Sequence, residues 1–369
     1  MSKRLVVLSC VYIILLSVLI PAASAANAPG VSARSYVLID AGTGTVLLER
    51  DADTQMLVAS TTKILTAVVA LTHTSPDDLV EIQPEHVGIE GSSMYLRAGE
   101  TVTVRDLLYG LMLSSGNDAA VALAYHVAGG VAEFAVLMNE KAAALGMDNS
   151  HFVNPHGLDA EGHYATARDM GLLAAYAMSL EEFVVIASTR NVQAAGRSLV
   201  NHNKMLWRYA GAEGVKTGYT RASGRSLVSS ASREGTRLIC VTLSAPDDWD
   251  DHAALLDWGF ANYKYHGILA AGEVVATLPV ISGVGDSVTL VAADGLALLT
   301  SAEDEVTVMF EVPRFVYADV TAGESGGLAY VTVNGARVSE VRLVFGESVA
   351  VDAAQRLGFW DGLRRQIFD

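Results

Sequence analysis

The sequence predicts an α+β fold, an antiparallel sheet with a helical cluster, followed by a small all-β domain. Three observations predict it: two β-prone runs around a glycine turn near the start, helical signals through the middle, and strand signals that return from Gly214 onward. The first and last strands can then share one sheet. With 369 residues, 51% of them hydrophobic and only 8 of them proline, the chain can bury one large core and a second, smaller one.

At the N-terminus, Lys3 and Arg4 precede an apolar run from Leu5 to Ile20 that ends in Pro21-Ala22-Ala23-Ser24-Ala25, with small residues where a signal peptidase cuts. Residues 1–25 therefore read as a signal peptide cleaved after Ala25, and the protein as exported. The competing reading, a retained membrane helix, meets a run shorter than the roughly 20 residues a span needs. Cys10 follows Val7-Leu8-Ser9, a faint lipoprotein-like pattern, but the apolar run continues well beyond it. Removal of the leader leaves Cys240 as the only cysteine, so the core must suffice without an internal disulfide. Cys240 sits in the strand-like run Leu238-Ile239-Cys240-Val241 and reads as a buried, inert thiol. The formal charge of −16, about −18 once Lys3 and Arg4 are gone, argues against a nucleic-acid partner.

The mature start offers Ser35–Asp40 and Thr45–Glu49 around Ala41-Gly42-Thr43-Gly44, a hairpin. From Ser60 to Leu71 the residues are apolar almost all round, which predicts a buried helix with Ser60 at its N-terminus. Thr103 with Asp106, and Thr166 with Asp169, resemble capped helix starts. Strand signals follow at Gly214–Tyr219, Arg225–Ser230 and Thr236–Thr242. From residue 267 the texture becomes short Val-rich runs broken by glycine, such as Glu305–Phe310 and Leu328–Val333, giving domains at 26–266 and 267–350. In the last stretch, 351–369, Leu357, Phe359, Trp360, Leu363 and Ile367 gather on one side of a helix, an amphipathic tail suited either to peripheral membrane contact or to packing on the β domain.

Three short motifs occur in order: Ser60-Thr-Thr-Lys63, Ser115-Gly-Asn117 and Lys216-Thr-Gly218. Each alone is common; together, on a predicted helix start, a loop and a strand, they carry a chemistry. A serine hydroxyl is a poor nucleophile at neutral pH and needs an adjacent base. Lys63, one turn on, shares the helix face of Ser60. It can serve as base only when neutral, which burial and the nearby charge of Lys216 would favour. The helix N-terminus adds unpaired N–H groups for a developing oxyanion.

Ala59–Lys63, Ser115–Asp118, Asn154–Leu158 and Gly214–Thr220 resemble the signature segments of the low-molecular-mass penicillin-binding proteins, the serine-type D-alanyl-D-alanine carboxypeptidases. The resemblance covers roughly residues 33 to 265 and extends to the family's C-terminal module. It implies a penicillin-binding/serine β-lactamase-like transpeptidase fold, no cofactor or metal, a peptidoglycan stem peptide ending in D-Ala-D-Ala as substrate, and β-lactams as covalent inhibitors. By matching position, Ser60 would be acylated, Lys63 would be the base and Ser115 would relay a proton. Asn117 would hold the substrate amide and Lys63; Lys216 and Thr217 would bind the terminal carboxylate, and Gly218 would permit close approach. The N–H groups of Ser60 and Tyr219 would form the oxyanion hole. Two departures stand out: Tyr219 where some relatives carry histidine, and His202 between Asn201 and Asn203 where a more basic residue is expected.

Rival readings are a β-lactamase, which lacks support because no Glu-x-x-Leu-Asn segment is present, and a penicillin-acylated receptor, which would need a membrane-spanning transducer. A D-specific endopeptidase would share the same machinery. His151, His156 and His163 have spacings that match neither a helical metal pair nor a zinc finger, and read as loop histidines.

Overall fold

The computed structural model describes residues 11–18 and 27–353. They form two compact units divided between Ala261 and Asn262. The predicted tail, Ala353 onward, lies almost wholly outside the described residues, as does most of the predicted leader. Of the leader, β1 (Val11–Val18) pairs antiparallel with Val306–Pro313 at one edge of the second unit's sheet.

The first unit begins with β2 (Ser35–Asp40), β3 (Val46–Arg50), α1 (Lys63–His73), β4 (Leu79–Glu81), β5 (Thr101–Thr103), α2 (Val104–Leu113) and α3 (Asn117–Ala128). It continues with α4 (Val131–Ala144), α5 (Ala167–Ala177), α6 (Glu181–Ser188), β6 (Asn191–Ala194), β7 (Arg197–Val200) and α7 (Met205–Arg208). Strands β8 (Ala212–Thr220), β9 (Gly224–Arg233) and β10 (Thr236–Leu243) and helix α8 (Asp248–Asn262) complete it. The main sheet runs β3-β2-β10-β9-β8, so the first strand pairs with the last and β8 is left as an edge. This is the sheet the sequence predicts.

Local signals account for the helix starts. Thr103 accepts from the N–H of Asp106 while Asp106 returns the bond, a reciprocal cap on α2. Thr166 caps α5 through the N–H of Asp169. The predicted helix at Ser60 begins one residue earlier and in a tighter form: Ala59–Thr62 is a 3-10 turn that passes into α1 at Lys63. Ile64, Leu65, Val68 and Val69 of α1 are fully buried in one core shared with α2, α3, α5 and the sheet. That burial fixes the start of α1, and hence Ser60, against the middle of the unit.

The second unit holds β11 (Tyr263–Leu269), β12 (Val274–Ile281), β13 (Ser287–Ala292), β14 (Leu296–Ser301), β15 (Val306–Pro313), β16 (Val316–Tyr317), β17 (Ser325–Val333) and β18 (Ala336–Phe345). Its core gathers Val288, Leu290, Val308, Val331 and Leu343. The boundary lies five residues before the predicted one, because β11 pairs with β14 in this unit. Tyr263-Lys-Tyr-His266 mixes aromatic and charged residues and lacks the Val-rich texture that marks the later strands.

Helix α8 is fastened to the sheet by a buried histidine. His252 lies between Ser229 of β9, at Nδ1, and Thr242 of β10, whose Oγ1 is 2.9 Å from Nε2. Burial pushes its pKa from 6.5 down to about 3. The unfolded chain therefore takes up a proton near pH 6.5 that the folded chain refuses until about pH 3, and stability falls through that window by about 1.4 kcal/mol per pH unit. Replacing His252 by glutamine should lower Tm at pH 7.5 and flatten the loss of Tm between pH 6.5 and 4.5. Thermal unfolding of both proteins across that range checks this; parallel Tm–pH curves would refute it.

Candidate active site

Ser60 projects from the 3-10 turn, and Lys63 is the first residue of α1. Lys63 is fully buried; its Nζ is 2.9 Å from Ser60 Oγ and donates to the carbonyl of His156 at 2.6 Å. Burial drives its pKa well below the usual lysine range, and the charge of Lys216 drives it further, with Asp118 opposing in part. A neutral amine beside a serine hydroxyl is what nucleophile activation requires. Ala59, just before the serine, holds φ 48°, a left-handed conformation uncommon for a residue with a Cβ. The turn is held by Thr61, which donates to Val58 O at 2.7 Å, and by Thr62, whose Oγ1 lies 2.9 Å from His163 Nε2. A Cβ at Gly157 would stand 2.0 Å from Ala59 O, so only glycine lets the Asn154–Leu158 segment close over the turn. Asn154 shapes that segment by accepting from Gly157 N–H and donating to Leu158 O.

The second motif lies between α2 and α3. Ser115 is buried, takes φ 61°, and its hydroxyl makes no hydrogen bond to a described residue, so it is available to the cavity it lines. Asn117 opens α3; its Nδ2 donates to Glu90 O, while its buried Oδ1 has no partner. The contact between Asn117 and Lys63 implied by the family resemblance is not formed here: Lys63 bonds to His156 O instead. Asp118 is an anchor the motif carries with it. Its carboxylate accepts from Met94 N–H, Leu96 N–H and Ser93 Oγ, fixing the 92–96 loop beside the site.

The third motif lies on β8, the free edge of the main sheet. Lys216 is fully buried, donates only to Thr217 O at 2.9 Å, and has no carboxylate partner among the described residues. Burial lowers its pKa from 10.5 to about 7, so an arriving carboxylate would restore the charged form. Gly218 sits where a Cβ would meet Val58 O at 2.9 Å, Thr61 N at 3.1 Å and Ser60 N at 3.2 Å. Its absence brings the strand against the nucleophile turn. Tyr219 follows with its side chain 68% exposed.

Ser60, Ser115, Thr217, Gly218 and Tyr219 line one cavity of about 550 Å³. Lys63, which reaches Ser60, and Lys216, which precedes Thr217, lie buried beside it, and Asn117 is buried two residues on from Ser115. The Asn201-His202-Asn203 departure has a structural explanation. Asn201 donates to Ala187 O and Thr189 O and accepts from Asn203 N–H, and Asn203 caps Met205 N–H, so the two asparagines brace the segment that presents His202 and Lys204 to the cavity. Burial, then the charge of Lys216, lowers the His202 pKa from 6.5, which disfavours its charged form. Sequence reasoning missed Ser92, Lys204, Arg225, Asp248 and Trp249 as cavity residues. None belongs to a motif; Arg225 was legible only as a residue of a predicted strand.

The three histidines each have their own protein partner. His151 Nδ1 faces Gly162 O, His156 Nδ1 accepts from Leu158 N–H, and His163 bridges Thr62 and Val153 N–H. Burial pushes both His156 and His163 down to about 4, so they are neutral at pH 7.

Comparison with known proteins places the chain in a family. A family model described as D-alanyl-D-alanine carboxypeptidase matches residues 22–247, which include every motif above. The chain belongs to this family. A second model, described as penicillin-binding protein 5, C-terminal domain, matches residues 263–351 of the carboxypeptidase-family chain, beginning where β11 does. The D-alanyl-D-alanine carboxypeptidase DacF of Bacillus subtilis is 30% identical over 353 residues, covering 91% of this chain and 90% of its own. DacC of Escherichia coli is 38% identical over 254 residues, covering 64% of each chain. The crystal structure of penicillin binding protein 5 from Haemophilus influenzae superposes with a TM-score of 0.73 at 31% identity, covering 88% of this chain and 99% of that one. The penicillin-binding fold expected from the motifs is thus the fold of this family member.

The position of Lys216 generates a measurable expectation. Lys216→Ala should reduce kcat/KM about 10- to 100-fold on peptides ending in a free carboxylate and far less on the same peptides ending in an amide, since the lost partner is a charge-assisted contact. Steady-state kinetics on the matched pair decides it, and equal losses would count against the role.

Proposed function

We propose that the protein removes the terminal D-alanine from peptidoglycan stem peptides through an acyl-enzyme on Ser60. The observation that carries this is the 2.9 Å approach of Ser60 Oγ, which lines the cavity, to a fully buried Lys63 Nζ, next to a second lysine without a counter-ion among the described residues. Membership of the carboxypeptidase family supports the same reaction.

In this mechanism neutral Lys63 takes the hydroxyl proton as Ser60 Oγ attacks the carbonyl carbon of the penultimate D-alanine. The oxyanion is received by N–H groups of Ser60 and Tyr219, at the helix start and the free strand edge. Lys216 and Thr217 hold the terminal carboxylate, and the orphaned Oδ1 of Asn117 is an acceptor suited to a substrate amide N–H. Ser115 passes a proton from Lys63 to the leaving nitrogen as the C–N bond breaks. Free D-alanine departs, water attacks the ester with Lys63 again as base, and Ser60 regains its proton.

Ser60→Ala should abolish both peptide cleavage and covalent penicillin labelling while leaving Tm unchanged, because only the nucleophilic oxygen is lost. Labelling that persisted in the variant would sink the assignment.

A β-lactam undergoes the same attack, but its amine stays tethered to the opened ring, where it hinders water and keeps Lys63 from its second task. Among the described residues, the one carboxylate lining the cavity is Asp248, and Arg225 holds it. With no free carboxylate to activate water, the penicilloyl ester on Ser60 should outlast many turnovers of peptide substrate. Intact-mass analysis after removal of excess penicillin reads this directly. Complete return to the unmodified mass within a few catalytic cycles would favour the β-lactamase reading.

The leader pattern and the substrate's location outside the cytoplasmic membrane support export, with a mature chain beginning at Ala26 that the same mass would report. Peripheral membrane contact through the 351–369 tail belongs to this proposal, supported by its one-sided apolar pattern. A truncation at residue 352 that bound anionic vesicles as well as the full chain would remove it.

A further inference from the structure

The second unit leaves a cluster of apolar side chains uncovered at the edge of its sheet opposite β1. Strand β16 closes that edge and runs parallel to β12, with Val280 opposite Val316 and Ile281 opposite Tyr317. Val280 and Val316 pack into the core, so the alternation along each strand sends Ile281 and Tyr317 together to the other face. Pro279 and Phe315, two positions back along each run, join them there, and the rings of Phe315 and Tyr317 meet edge to face at 5.5 Å. Ile281 is 40% exposed and Tyr317 55%. Contiguous apolar surface of this kind marks a place that something covers.

The end of the described chain lies directly beside this cluster. Val351 bridges antiparallel to Gly283, Val284 N–H donates to Ala350 O, and Asp352 N–H donates to Ser282 O. Residues 350–352 therefore run along 282–284, which follow Ile281 without a break. The family module matched at 263–351 ends there too, and 353–369 continues beyond it. In that continuation the sequence gathers Leu357, Phe359, Trp360, Leu363 and Ile367 on one side of a helix. From Asp352, Leu357 has a reach of about 8 Å as helix and about 17 Å extended. Paired strands stand only about 4.8 Å apart, so the first turns of such a helix reach the cluster. The charges match as well. Asp286, whose carbonyl accepts from Val280 N–H, and Asp319, close after Tyr317, border the cluster against Arg314. The tail carries Arg356, Arg364 and Arg365 against Asp361 and Asp369. An anionic lipid surface would be repelled by the carboxylates that favour the tail.

We propose that residues 353–369 dock back on the Ile281, Phe315 and Tyr317 cluster, so that away from a membrane the tail's apolar face is covered by its own β domain. The contact is that of an amphipathic helix laid on an apolar surface. A short connection holds the two at an effective concentration on the order of millimolar, so a modest intrinsic affinity suffices. Docking and lipid contact use the same face of the tail and exclude each other. Membrane binding then requires release of the tail from the cluster. The inference goes beyond the carboxypeptidase reading and does not depend on it.

The test reads solvent access at the cluster. In the mature chain the native thiol, Cys240, is buried, and burial raises its pKa well above the usual thiol range. Ile281→Cys therefore places one reactive thiol in the cluster. Its maleimide labelling should be about 10-fold slower in the full mature chain than in a chain ended at residue 352. Adding Phe315→Ser with Tyr317→Ser to the full chain should restore the fast rate. Val338→Cys, on the exposed side of β18, should label equally fast with and without the tail. On vesicles of mixed phosphatidylglycerol and phosphatidylcholine, the Phe315→Ser/Tyr317→Ser chain should bind several-fold more tightly than the unsubstituted chain, because no docked state competes. Thermal unfolding shows whether each variant is folded, and the truncation alone decides if the double variant is not. Equal labelling of Ile281→Cys with and without the tail would overturn the proposal. Protection that grew with protein concentration would overturn it in favour of a second copy as the cover. Weaker vesicle binding by the double variant would overturn it in favour of lipid as the occupant of the cluster.

Discussion

Two fully buried lysines share this site, and neither has a carboxylate partner within ion-pair distance among the described residues. That is the constraint on which the rest of the structure depends. Moving an ammonium out of water is so unfavourable that the group gives up its proton unless something compensates. Lys63 is compensated by a carbonyl and a hydroxyl, groups that hydrogen-bond a neutral amine well, which suits it to the proposed role of base. Lys216 has one carbonyl partner and precedes Thr217, which lines the cavity, so an anion bound there would favour its charged form. The two are coupled, since the charge on Lys216 further depresses Lys63.

Keeping both lysines dry demands tight packing around them, and the glycines provide it. Gly218 lets the free edge strand lie against the nucleophile turn, and Gly157 lets the Asn154 loop close over the same turn at a separation no Cβ would allow. The left-handed backbone at Ala59 and Ser115 is then maintained by its surroundings, chiefly the buried face of α1 and the Asp118 anchor. Site and core are therefore one structure. A cavity opened beneath Ile64 or Val68 would reach Lys63 through the first turn of α1.

The polar side of the cavity is built differently. Paired asparagines brace the segment that presents His202 and Lys204, and Arg225 forms a half-buried ion pair with Asp248. These groups are exposed enough to meet solvent, so in the proposed mechanism they would act through the direction and sign of charge, and the buried lysines through proton affinity. The cavity thus has a dry end at Ser60 and Lys63 and a wetter, cationic end.

By itself the sequence determined the order of elements, the shared sheet and the three motifs, because each depends on local rules. Thr103 and Thr166 cap helices through residues three positions on, Lys63 lies one turn from Ser60, and glycine-rich turns separate alternating strands. The domain boundary was displaced by five residues because β11 follows α8 with no turn residue between them, so that its pairing with β14 is what separates it from the first unit. Only the tertiary structure decided which groups meet across long separations. Lys63 finds its second partner at His156, 93 residues away, and Arg225 meets Asp248 through the docking of α8 on the sheet. Asn117 turns toward Glu90 and leaves Lys63 to the His156 carbonyl. Local sequence encodes spacing along one helix or strand, whereas burial, and with it the proton affinity of each lysine, is set by segments that chain order alone does not bring together.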